Sequence, residues 1–343
     1  MAEKRIAGSA SGAAGDHGEE GQGAAMGSAC AVVAVGAPGT IELPEGEIEG
    51  FEGYGHVTLE GAPNTRDLGG LRTRDGRMVR PHRLLRSGAL HEMTRDDAEL
   101  LCTWHQVRRV VDLRTTLERD GKPDERQLMP EVEFFDLPVL SASELTGASE
   151  GQGPSALDKL KAIREYLSRP YETMEGLYAT ALLGDQGLRS YGELLELLLD
   201  APEGATLWHC TEGKDRAGLA TVLVEHALGV SEQDIMRDYL ATNLFVQTWA
   251  ERVLDELARH RLLVRVDEDV SALFYANRGF LCDAMRLVKA EYGSIDGYLV
   301  KGLGFGPDKQ EALRERYLTD DLAVPTVAKL SDAAPAGIEA EAA

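Results

Sequence analysis

A cysteine and an arginine six positions apart carry the chemistry this sequence offers. They sit in His209-Cys210-Thr211-Glu212-Gly213-Lys214-Asp215-Arg216-Ala217-Gly218, between the apolar run 205–208 and the helical pattern "RAGLATVLVEHALG". In a short loop between a strand and a helix, backbone N–H groups can converge on one point, and the helix start adds its positive end. Such a bowl binds a tetrahedral oxyanion and favours a cysteine thiolate. Gly213 permits the tight bend. Arg216 can give two parallel N–H bonds to a phosphoryl group, and Lys214 adds a second positive charge. The set suits in-line attack of sulfur on phosphorus, with the developing charge held by the loop. This reading needs a sulfur open to solvent and an inward-turned Arg216. The alternative is a buried structural cysteine beside an ordinary turn.

The flanking elements are those such a loop needs. "VRRVVDLRT" is a β-branched run and "ATLWHC" a second strand; "HRLLRSGAL" begins as a strand, as do "GHVTLEG" and "VEFFDLPVL". Thr94 caps a helix over "MTRDDAELLCTWHQ", Ser231 caps another, and Gly229 ends the helix after Arg216. "SALDKLKAIREYLSR", "YETMEGLYATALL" and "SYGELLELLLDAP" have helical spacing, and residues 231–300 are almost wholly helical in pattern. Residues 141–155 are loop-like. Strands alternating with helices predict an α/β fold over residues 51–320, with a mainly parallel central sheet and helices on both faces. Sites in such sheets form at the carboxyl ends of strands, where Cys210 stands. Residues 1–50 and 321–343 are small, polar and acidic, and are expected to be disordered tails.

Bulk properties narrow the function classes. Of the 343 residues, 58 are acidic and 36 are Lys or Arg, a formal net charge of −22, which argues against nucleic-acid binding. No apolar run is long enough to span a membrane. Cys30, Cys102, Cys210 and Cys282 form no CxxC pair, so a reducing, cytoplasmic setting is expected. Cys102 and Cys282 lie on apolar stripes and are expected in the core. The histidines form no HxxxH or HExxH pattern, so neither a metal nor another cofactor is expected.

The loop "HCTEGKDRAG" resembles the H-C-x-x-G-K-D-R-x-G active-site loop of the bacterial-type cysteine-dependent tyrosine and phosphoinositide phosphatases. The likeness continues in "NTRDLGG", "RLLRSGAL", "VVDLRTTLE" and "EYGSIDGYLVKGLG", in order across residues 60–305. The resemblance implies a tyrosine-phosphatase-like fold, Cys210 as nucleophile, Arg216 as phosphate clamp, and Thr211, Glu212, Gly213, Lys214 and Ala217 as substrate-binding residues. It implies a phosphocysteine intermediate and a phosphorylated protein or phosphoinositide as substrate. It also implies a helical lid over residues 231–276.

No tryptophan is followed by Pro-Asp, so the proton donor must come from elsewhere. Asp215, inside the loop, is the first candidate and Asp112, at a strand end, the second; Asp124 and Asp136 are weaker. Asp215 could instead brace the loop, and Asp112 could be held by Arg114 or Arg66. Arg114 could reach substrate or pair with Glu118 or Asp67. Lys214 could contact a second phosphate or be a solvated loop-edge residue. Asn64, Arg66 and Asp67 are expected to brace the loop region, and His209 to hold the loop rather than act as a base. Ala217 stands where the family usually has Thr or Ser, and loss of that hydroxyl should slow hydrolysis of the intermediate. This keeps open a phosphate-binding module without turnover. A thiol oxidoreductase or sulfurtransferase would leave the other elements unexplained.

Overall fold

The computed structural model describes residues 41–141, 143–144, 167–259 and 270–320. Its central sheet has the order β1 (Arg66–Asp67), β3 (Leu84–Ser87), β6 (Ala205–His209), β4 (Val107–Asp112), β5 (Glu133–Asp136). Strands β3, β6, β4 and β5 are parallel, and β1 is an antiparallel edge. A separate ribbon pairs β2 (Met78–Val79) with β7 (Leu318–Thr319). The mainly parallel α/β sheet agrees with the sequence reading.

The alternation of side chains along each strand explains the layers. Leu84, Val111 and Trp208 enter the larger core, while their neighbours Leu85, Val110 and Leu207 enter the smaller one. The larger core is covered by α3 (Pro170–Leu183), α4 (Asp185–Leu199), α5 (Arg216–Leu228), the first half of α6 (Glu232–Arg259) and α7 (Arg278–Tyr292). The smaller one is covered by α1 (Arg95–Glu99) and the π-helical turn Leu100–Trp104. Thr94 starts α1 with a reciprocal capping box to Asp97, and Gly229 ends α5 in the left-handed region at φ 91°.

Several expectations need correcting. "GHVTLEG" forms no strand; His56 makes an isolated bridge to Arg66, and Val57 donates its N–H to the Thr65 carbonyl. Residues 41–50, expected within the N-terminal tail, are held by the fold: Ile48 is buried, and Glu42 binds Asn243 and Arg278 through its backbone and side chain. Residues 235–241 of the expected lid lie in the main core, since Ile235, Met236, Tyr239 and Leu240 are apolar at helical spacing. Later in that span, Val246, Ala250 and Tyr275 form a small cluster apart from the main core. Residues 155–166 of the expected helix, most of the 141–155 loop, residues 1–40, 260–269 and 321–343 lie outside the described residues. Cys282 packs in the larger core and Cys102 against the smaller.

Because β6 is central and Leu207 fully buried, Leu207→Ala should cost ~2–5 kcal/mol in urea unfolding. A loss under ~1 kcal/mol would show that this strand does not hold the two layers together.

Candidate active site

The loop Cys210–Asp215 emerges from the carboxyl end of β6 and runs into α5, whose first residue is Arg216. Gly213 takes φ +67°, and a Cβ there would sit 2.6 Å from the Ser87 carbonyl group. Only glycine lets the loop lie against β3. Asn64 donates its amide to the Glu212 carbonyl at 3.1 Å, and Arg86 donates to the Gly213 carbonyl at 2.8 Å. The loop's carbonyls are thus pulled outward into the protein. Among the described residues, nothing accepts a hydrogen bond from the N–H groups of Thr211 to Asp215. Free amides beside a helix start are the makings of an anion site.

Arg216 turns inward, as the sequence reading requires. Its guanidinium makes a two-pronged pair with Glu118, at 2.6 and 2.7 Å, and donates to the Thr211 hydroxyl oxygen at 3.1 Å. Glu118 also accepts from the hydroxyl of Thr211 at 2.6 Å and from the N–H and hydroxyl of Thr115. Burial alone would raise the Glu118 carboxyl; the hydrogen bonds and charge of Arg216 outweigh it, with Thr211 and Thr115 adding, and hold it down to about 2. On Arg216 itself burial works against the charge, and Glu118 more than offsets it, so the guanidinium is held still more firmly protonated than usual.

Cys210 is only 2% exposed. The expected sulfur open to solvent is not found: Cys210 is buried with the larger core. Asp215 is 19% exposed at its side chain and accepts from the Tyr178 hydroxyl at 2.8 Å, with Tyr239 2.7 Å behind. Lys214 is neither solvated nor free for a second phosphate. It is buried and donates to the Leu273 carbonyl at 2.7 Å, with Asp215 at 3.4 Å. Glu212 is half-buried; burial pushes its carboxyl up to about 7 despite Lys214 and Lys122. Ala217 is fully buried in the first turn of α5 and offers no hydroxyl.

The second expected acid is committed elsewhere. Asp112 is buried against Arg114 at 2.7 Å, and Arg114 reaches Asp124 at 2.8 Å. Arg114 therefore pairs with neither Glu118 nor Asp67, and it does not face substrate. His209 joins this group, 3.2 Å from Asp124, with its other ring nitrogen 3.1 Å from the Cys210 carbonyl. Burial lowers the His209 ring, but Asp112 and Asp124 more than compensate and raise it. Burial likewise raises Asp124, and His209 and Arg114 bring it down to about 2. Asp136, on the edge strand, pairs with Arg126 at 2.5 Å. Asp112, Asp124 and His209 have metal-binding chemistry, yet Arg114 already supplies their cation.

Arg66 braces from a distance: it and Arg86 share Asp238 of α6 at 2.6 and 2.8 Å, all three buried. Asp67 does not reach the loop; its carboxylate accepts from the N–H groups of Gly69 and His82. The sequence reading missed the roles of Glu118, Tyr178, Arg86 and Asp238. Glu118 had a signal, since Thr115-x-x-Glu118 is a capping box. Asp238 and Tyr178 stand in helices with no local mark.

The profile of the tyrosine phosphatase family matches residues 57–319. The chain belongs to that family. It is 32% identical over 249 residues to a Cupriavidus necator protein provisionally named a tyrosine-protein phosphatase, covering 72% of this chain and 84% of that protein. It is 28% identical over 264 residues to triple specificity protein phosphatase PtpB of Mycobacterium tuberculosis, covering 70% of this chain and 91% of that one. The chain is thus a tyrosine-phosphatase-like hydrolase. No helix of the described residues is long and apolar enough to cross a membrane.

The Glu118 carboxyl is held below its ordinary 4.5, so its stabilising share is complete above about 4.5 and is lost as pH falls toward about 2. That share is roughly 3 kcal/mol. Glu118→Gln should therefore be less stable than the parent at pH 7, with the gap closing between pH 5 and pH 2. A gap unchanged by pH in urea titrations would contradict the pairing.

Proposed function

We propose that this chain hydrolyses phosphomonoesters through a phosphocysteine on Cys210. The observation that carries this is the inward Arg216, gripped by Glu118, at the start of a helix whose preceding loop leaves its amides unpartnered. Sulfur attacks phosphorus, and the P–O bond to the leaving group breaks. Asp215 gives that oxygen its proton; its carboxyl is partly exposed and oriented by Tyr178. Water then attacks phosphorus, Asp215 takes the proton back, and the Cys210 thiolate leaves. Arg216 and the loop amides hold the phosphoryl oxygens throughout. Asp112 serves as a brace through Arg114. Lys214 ties the loop to residues 273–275, which with the second half of α6 would be the moving cover that uncovers Cys210 for substrate.

The family supports phosphotyrosine as substrate; the mycobacterial relative is named for a triple specificity, and the resemblance in the sequence extends the reading to phosphoinositides. A reducing cytoplasm suits a working thiol. Ala217 supports one other reading, a phosphate-binding protein that forms the phosphocysteine and releases it slowly.

Cys210→Ser should reduce hydrolysis of phosphotyrosine peptides to background, and Asp215→Asn should lower kcat ~10²–10⁴-fold. Near-normal turnover by Cys210→Ser would reject the mechanism. Equal kcat for Asp215→Asn and the parent would remove Asp215 as the acid.

The Glu212 carboxyl, poised at about 7, becomes an anion at the loop as pH rises. KM should therefore climb more steeply above pH 7 in the parent than in Glu212→Gln. Parallel KM profiles would show that the Glu212 charge does not reach the phosphate.

A further inference from the structure

At the amino ends of the parallel strands, opposite the Cys210 loop, three side chains from separate segments meet. Asp67 closes β1, His82 precedes β3, and His105 follows the π-helical turn before β4. The Nδ1 atoms of His82 and His105 are 3.0 Å apart, and each is 3.5 Å from Oδ2 of Asp67. We propose that these three form a binding site for one divalent transition-metal ion, for which Zn²⁺ fits the donor set, clipping the three segments together.

Atoms at these separations can all lie about 2 Å from one shared point, which is the distance of zinc from imidazole nitrogen and carboxylate oxygen. The rings are also not in line with the vector between their nitrogens. Their centres are 4.8 Å apart, whereas an N–H···N bond in line with both rings would hold them about 5.3 Å apart.

Electrostatics favour a cation as well. Asp67 is fully buried, and among the described residues no lysine or arginine lies within ion-pair distance of it. Two imidazolium rings cannot share this space at 3.0 Å, because like charges there repel. One proton can bridge the two ring nitrogens, but it leaves Oδ2 of Asp67 3.5 Å from both, too far for a good hydrogen bond to either. One metal ion would satisfy all three.

The supporting contacts are those a ligand set needs. Oδ1 of Asp67 accepts from Gly69 at 2.9 Å, and its Oδ2 from the N–H of His82 at 2.8 Å, which fixes the carboxylate. His82 holds φ +56°, in the left-handed region. Its side chain is 21% exposed, against 3% for His105, so an ion and a fourth, water ligand have a way in. No local motif marks the site, since its ligands come from positions 67, 82 and 105.

The test uses the tag-free full chain carrying Cys210→Ser, which removes the active-site thiol as a rival ligand. The protein is stripped with a chelator, desalted and titrated with ZnCl₂ by calorimetry. One equivalent should bind with Kd below ~1 µM and raise the melting temperature. His82→Asn, which keeps a residue tolerant of the left-handed backbone, and His105→Gln should each weaken binding at least ~100-fold while circular dichroism stays native. Zinc K-edge absorption of the loaded parent should show two imidazole rings and no sulfur, and this reads the site even where a variant fails to fold. No binding by the parent at about 100 µM zinc, unchanged affinity in both folded variants, or a sulfur shell at the metal would overturn the proposal.

Discussion

The pair between Arg216 and Glu118 is the contact on which the site depends. Arg216 has to leave the first turn of α5 and double back over the loop that precedes it. A flexible side chain pays a large rotamer entropy for such a pose. Glu118 fixes it with two short bonds, and is itself fixed by Thr115 and Thr211. The carboxylate thus joins the end of β4, through α2 (Thr116–Gly121), to the loop after β6. Neighbouring parallel strands deliver the clamp and the residue that aims it.

Beneath the loop, a second layer of charge sets its floor. Arg86 binds both the Gly213 carbonyl and Asp238, and Arg66 shares the same carboxylate. Removing one partner from such a buried group leaves uncompensated charge, which costs far more than the pair gains. The layer is therefore intolerant of change, and it holds α5, α6 and β3 in one relation. On the opposite side Asp112, Asp124, Arg114 and His209 do the same for the carboxyl ends of β4 and β6. The loop is held from both sides, while Lys214 reaches out of it to residues 273–275 and Tyr178 of α3 reaches in to Asp215.

Much of this could be read from residue order. The strand–loop–helix around Cys210 is visible because an apolar run, a glycine-bearing turn and a helical repeat follow one another, each with its own local physics. The inward turn of Arg216 followed from the chemistry it would have to do. What failed was non-local. Whether Asp112 faces substrate or Arg114 depends on a buried neighbour, Asp124, twelve positions away. Lys214 looks like a solvated residue until residues 273–275 fold over it. "GHVTLEG" alternates like a strand, yet it lies beyond the sheet's edge and finds only one bridging partner, at Arg66. Alternation marks a half-buried segment, and the sheet decides whether it is paired.

The nucleophilic role of Cys210 is tested most directly by trapping its product. The parent protein is mixed with a phosphotyrosine substrate, quenched in acid within milliseconds, and digested for mass spectrometry. The expected result is a phosphoryl group on Cys210 that appears before product release is complete and disappears on longer incubation. With alanine and no hydroxyl at position 217, that species should be long-lived. Steady turnover with no phosphoryl group on Cys210 at any time, or with the group on another residue, would contradict the account.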